Sequence, residues 1–107
     1  MKSRRAKATD IPQKVKEAVW ERDNGRCVVC GNAHNVMPNA HFIPRSQGGL
    51  GIEENIVTLC SNLTPNCCHY KFDHGTKQER TEIGQTIERY LKSKYPDWDK
   101  LKLKYRR

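Results

Sequence analysis

The stretches that decide the fold are Cys27-Val28-Val29-Cys30-Gly31 and Asn55-Ile56-Val57-Thr58-Leu59-Cys60, the second followed by Cys67-Cys68-His69. The first is a Cys-x-x-Cys turn closed by glycine. The second is a β-branched run that delivers another cysteine at its end. A Cys-x-x-Cys pair can serve redox chemistry, but no βαβ pattern surrounds this one. Two thiolate pairs, Cys27 with Cys30 and Cys60 with Cys67 or Cys68, supply the four soft ligands of a tetrahedral zinc site. Adjacent cysteines do not readily face one small ion, so one of the last two is spare. The set taken forward is Cys27, Cys30, Cys60 and Cys68. Burial as ordinary core cysteines is the plainer alternative. It is disfavoured in a chain so poor in core: of 107 residues, 36% are hydrophobic and 30% are charged. Domains this small often need a metal to hold them together.

Elements follow outward from the cysteines. Upstream, Ile11, Val15 and Val19 recur at helical spacing, with Asp10 as the expected N-cap and Asn24-Gly25 as the stop. Residues 32–38 read as polar loop. Asn39–Ile43 and Asn55–Leu59 read as strands, the first ended by Pro44. Cys68–His74 reads as a short helix stopped by Gly75. Thr76-x-x-Glu79 is a capping box, opening an amphipathic helix through Ile83, Ile87 and Leu91 to about Tyr95, before Pro96. Trp98, Leu101 and Tyr105 suggest a last basic helix. Residues 1–9 read as a flexible basic tail, and 10–107 as one domain, with its core at about 26–75 and a basic helical extension over 76–107.

Lys and Arg number 20 against 12 Asp and Glu, a net charge of +8. The basic residues crowd the two ends, while residues 31 to 75 are nearly neutral. That arrangement fits arms that hold a phosphate backbone around a neutral centre. The candidates for this role are Arg4, Arg5, Lys104 and Arg106, with Arg45 nearer the centre. A membrane partner is disfavoured: no stretch approaches the roughly 18–20 apolar residues of a span. The opening MKSRRAKATD has no apolar run, so a cytoplasmic protein is expected.

A second constellation lies at Ala40-His41-Phe42-Ile43-Pro44-Arg45-Ser46-Gln47-Gly48-Gly49, Glu54-Asn55-Ile56-Val57-Thr58-Leu59-Cys60 and Cys68-His69. His41 alone would most often be a half-buried structural residue. His69 and Asp73, four apart on a helix, share a face and can grip one cation. Together with Val19-Trp20-Glu21-Arg22-Asp23 and Cys27-x-x-Cys30-Gly31, these strings resemble the HNH endonucleases, in particular their small zinc-stapled phage and bacterial members. The resemblance covers roughly residues 12 to 75.

It implies an α+β fold: a ββα-metal core, a structural four-cysteine zinc site and flanking helices. It implies a catalytic Mg²⁺ or Mn²⁺ on His69 and Asp73, His41 as general base, and Asn55 as the middle letter of the motif. The implied activity is a metal-dependent DNA endonuclease or nickase, leaving 5′-phosphate and 3′-hydroxyl ends. The implied partners are double-stranded DNA and phage packaging or replication proteins. The protein would act as a monomer or weak dimer, in the host cytoplasm if phage-encoded. One departure stands out. Ala40 occupies a position that usually carries a ligand and cannot coordinate, so His74 or Asn39 would have to substitute, or water would complete the shell on His69 and Asp73, or activity would be lost. The rival readings are a non-catalytic zinc-stabilised nucleic-acid-binding module and a ribonuclease.

Overall fold

The structure, a computed structural model, describes residues 3–61 and 66–105. Its sheet is a single antiparallel pair, β1 (Val36–His41) and β2 (Ile56–Cys60). The register sets Val36 opposite Cys60 and His41 opposite Ile56, with an irregularity between Met37 and Ala40. Pro38 lies inside that irregularity. It has no N–H to give the ladder, and bulges are where strands tolerate proline. β1 therefore begins three residues before the expected Asn39 and ends at His41, not Ile43. β2 is buried along its whole length, which explains its unbroken apolar character.

Helices pack around this pair. α2 (Gln13–Arg22) ends where Asn24 and Gly25 take positive φ, as the Asn-Gly stop predicts. Its N-cap is Pro12 with no side-chain cap bond, so the expected capping by Asp10 does not occur; Asp10 pairs with Arg45 instead. α3 (Cys68–His74) follows β2, and α4 (Lys77–Lys94) opens with the full Thr76–Glu79 capping box. Ile83, Ile87 and Leu91 of α4 are buried in one core cluster with Val57, Leu59 and Phe42. Burying side chains of this size stabilises by roughly 1.5–3 kcal/mol each before entropy is counted.

Two terminal expectations change. Residues 4–9, read as a tail, form α1 (Arg4–Thr9), capped by the Ser3 hydroxyl. The expected last helix is only a single 3-10 turn at Lys100–Lys102. That turn is short because Leu103 and Tyr105 leave it to pair with the loop at Gly48–Leu50. Trp98 packs edge-on against Phe42, with ring centroids 5.8 Å apart. No helix among the described residues is long and apolar enough to cross a membrane.

Candidate metal centre

Cys27 and Cys30 flank a tight turn whose Gly31 adopts φ +78°, a left-handed conformation that favours glycine. The turn is fixed at both sides: Gly31 N–H donates to Cys27 O, and Val28 N–H donates to Thr58 O on β2. Cys60 ends β2 and Cys68 opens α3. These elements bring the sulfurs of Cys27, Cys30, Cys60 and Cys68 within 4.8 Å of one another. Cys30 Sγ and Cys60 Sγ are 3.8 Å apart. Bonds of about 2.3 Å to one tetrahedral ion would set sulfurs about 3.8 Å apart, so the donor set fits a single ion. A polynuclear iron–sulfur cluster would interpose its own atoms and spread the thiolates further.

Cys67 is not part of the set. Its sulfur accepts from Tyr70 N–H at 3.3 Å and caps α3. The choice between Cys67 and Cys68, open in the sequence, falls on Cys68. Its own N–H donates to Cys60 Sγ at 3.0 Å, and Cys30 N–H donates to Cys27 Sγ at 3.5 Å. The hydrogen bond with Cys68 is the largest influence on Cys27 and draws its thiol far below the usual range. The same bond, with burial, holds Cys68 far above it, and burial pushes Cys60 up. A metal ion binds all four sulfurs as thiolates, so its binding releases the protons they share.

The second constellation lines an open cavity of about 1040 Å³. His41, His69, Asp73, Asn39 and Arg45 all contribute to its wall. His69 Nε2 lies 3.3 Å from Asp73 Oδ2. His41 Nε2 lies 2.8 Å from Thr9 O. A carbonyl only accepts, so Nε2 carries the ring proton. Burial is the largest influence on His41 and lowers its pKa, which keeps the ring neutral at pH 7. Asn39 Oδ1 is buried in this wall without a hydrogen-bond partner among the described residues. His74 is exposed, with its ring 5.3 Å from that of Tyr70.

Ala40 is buried and offers no ligand. Among the described residues, only the four thiolates form a group of three or more His, Cys, Asp or Glu side chains close enough to hold an ion together. Asn55 stands outside the cavity. It is fully buried and braces the loop after β1 through Ile43 and Leu50. Arg4 and Arg5 lie exposed on α1, and Lys104 lines the cavity; Arg106 lies outside the described residues. Sequence reading missed Thr9 and Arg80, which join the site from α1 and α4, while Lys100, one of the basic residues crowding the C-terminal end, joins it from the last turn. No local motif marks them.

No family model and no solved structure matches the chain. A curated protein does: anaredoxin of Nostoc sp. (strain PCC 7120), 30% identical over 63 residues, which are 59% of this chain and 76% of that protein. This finding corrects the expected activity. A relative named as a redoxin points away from a hydrolase, so the endonuclease or nickase reading, with its catalytic Mg²⁺ or Mn²⁺, is withdrawn. What remains from the sequence is the four-cysteine site, and at this identity and coverage the chain belongs to the anaredoxin family.

Proposed function

We propose that this protein is a small electron-transfer module whose centre is one iron ion held by Cys27, Cys30, Cys60 and Cys68. The observation that carries the reading is the convergence of those four sulfurs within 4.8 Å. The name of the relative supports redox use of the site. Iron in four thiolates supplies a one-electron couple. The chain's own groups would tune it. The Cys68 and Cys30 amides donate to sulfur and offset negative charge on the thiolates, which favours the reduced state. Cys27, Cys60 and Cys68 are buried and exclude water, whereas Cys30 is exposed and gives an electron a way in. We further propose that the β1–β2 hairpin followed by α3 is a scaffold of the ββα-metal type, on which the thiolate centre ties the hairpin to the helix.

The test is metal analysis with visible spectroscopy on protein purified without added metal. One iron per chain is expected, with thiolate-to-iron absorbance that bleaches with dithionite and returns in air. Cys67→Ser should keep the ion and the spectrum. Cys68→Ser should lose most of both. One zinc per chain, with no colour and no iron form obtainable by reconstitution, would overturn the redox reading and leave a structural staple.

The basic wall of the cavity supports a second reading, duplex DNA as a binding partner. Arg45, Arg80, Lys100 and Lys104 gather there from three separate segments: the loop after β1, α4 and the C-terminal turn.

A further inference from the structure

α3 belongs to two places at once. Its first residue, Cys68, completes the four-thiolate set, while its His69, Phe72 and Asp73 line the cavity. The start of the helix is tied to β2 through sulfur, because Cys68 N–H donates to Cys60 Sγ at 3.0 Å. Its last turn is held separately, by the Phe72 ring stacked on that of Phe42 with centroids 6.5 Å apart. The four sulfur residues differ in access. Cys27, Cys60 and Cys68 are buried, and Cys30 is exposed. Cys30 Sγ lies 3.8 Å from Cys60 Sγ, at non-bonded contact. The bond from Val28 N–H to Thr58 O holds the Cys27–Cys30 turn against β2, which keeps these two sulfurs together.

We propose that Cys30 is an oxidant-sensitive modification site with Cys60 as its resolving thiol, and that closing this bridge detaches the start of α3 from β2. This rests on the proposed four-thiolate centre, whichever of iron or zinc fills it. All four ligands are thiolates when an ion is bound, so access decides which one meets a hydroperoxide. The Cys30 thiolate attacks the O–O bond: an S–O bond forms, the O–O bond breaks and hydroxide leaves. The Cys60 thiolate then attacks the Cys30 sulfur: an S–S bond forms, the S–O bond breaks and a second hydroxide leaves. Two thiolates lose two electrons, and one peroxide takes them. Cys27 and Cys68 remain as ligands, too few to retain a tetrahedral ion. The bridge keeps the turn on β2, so Cys68 alone loses its tie to the strand. His69 follows it directly, so oxidation at the metal centre shifts the cavity wall.

The test treats the full-length protein, reconstituted with zinc, with a few equivalents of hydrogen peroxide at pH 7.5 beside a colorimetric zinc chelator. Zinc gives up no electrons itself, so the thiolates are the only reductant at the centre. One zinc should be released per chain, and the thiol count in denaturant should fall from five to three. Peptide mapping should join Cys30 to Cys60, and dithiothreitol with fresh zinc should reverse every change. Cys67→Ser should respond in the same way, with its four remaining thiols making the mapping unambiguous. Cys30→His keeps a zinc ligand without the thiol and should release zinc at least tenfold more slowly; if it does not load, the wild-type mapping carries the test. After oxidation the amides of Cys68–Tyr70 should exchange more than tenfold faster, while those of β2 stay protected. Zinc retained under peroxide, zinc lost with no bridge formed, a bridge between any other pair, or α3 amides that exchange no faster would each overturn the inference. A chain that loads neither zinc nor iron would sink the metal centre itself, whereas the iron reading alone stands or falls with its visible spectrum.

Discussion

Asn55 shows how far a single residue's meaning depends on partners the sequence does not display. It was read as part of a chemical motif because it sits among motif residues. In the structure its carboxamide accepts from Ile43 N–H at 2.8 Å and donates to Ile43 O at 3.2 Å and Leu50 O at 2.8 Å, and the residue is 0% exposed. Asn55→Leu would keep the branched shape, with more bulk, and strand three buried backbone groups. Each unmet buried group costs roughly 1–3 kcal/mol, and relaxation would recover part. A loss of about 3 kcal/mol in urea unfolding is expected, with the denaturant slope unchanged. A loss below about 1 kcal/mol would mean the brace is unimportant. The cysteines were more legible. A Cys-x-x-Cys turn closed by glycine imposes its own geometry, so Cys27 and Cys30 could be read from spacing alone. Cys67 and Cys68 could not be separated that way. Which one faces the ion is set by where α3 starts, and Cys67 is needed as its cap.

At the level of elements, α2, β2 and α4 are joined through one buried charge pair. Arg22 Nε donates to Asp23 Oδ1 at 2.7 Å, and the Asp23 side chain is 0% exposed. Asp23 also accepts from Thr58 N–H at 2.9 Å and from the Tyr90 hydroxyl at 2.5 Å. Arg22 reaches on to Ile56 O and Glu53 O. Helix periodicity and the Thr76–Glu79 box told where α2 and α4 run, because those signals are local. The knot was invisible because its partners lie 35 and 67 residues from Asp23. Asp23→Ala would leave Arg22 buried and unpaired, a change worth about 3–5 kcal/mol, and thermal unfolding should show a correspondingly large drop in midpoint. A variant within about 1 kcal/mol of wild type would show that water replaces the carboxylate. The Tyr90 phenol, chiefly through burial and then through its bond to Asp23, is pushed up to about 12. Its folded pKa lies above the unfolded value of about 10, so its contribution is complete below pH 10 and is lost as pH rises toward 12.

Across the whole molecule the question is where the net charge of +8 is placed. Sequence reading assigned it to two terminal arms. In the structure the N-terminal arm is α1, docked by Arg5 and Asp10, and Lys104 returns to the cavity wall beside Arg45. α1, through Thr9, and the segment Lys100–Lys104 therefore converge with the central cavity, which no reading of charge along the chain could show. Not every cation there is equally available. Arg45 is held by Asp10, and Lys100 Nζ lies 4.0 Å from Glu88 Oε1. A phosphate backbone must compete with those carboxylates, while Arg80 and Lys104 have no ion pair among the described residues. If about four phosphates are neutralised, log K for a short DNA duplex should fall with log salt at a slope near −3.6. Lys100→Ala with Lys104→Ala should flatten that slope by about 2 and leave the bound metal in place. Fluorescence anisotropy with a labelled duplex across a salt series measures both. Binding that is absent at low salt, or a slope unmoved by the double variant, would remove this cavity wall as the DNA-binding face.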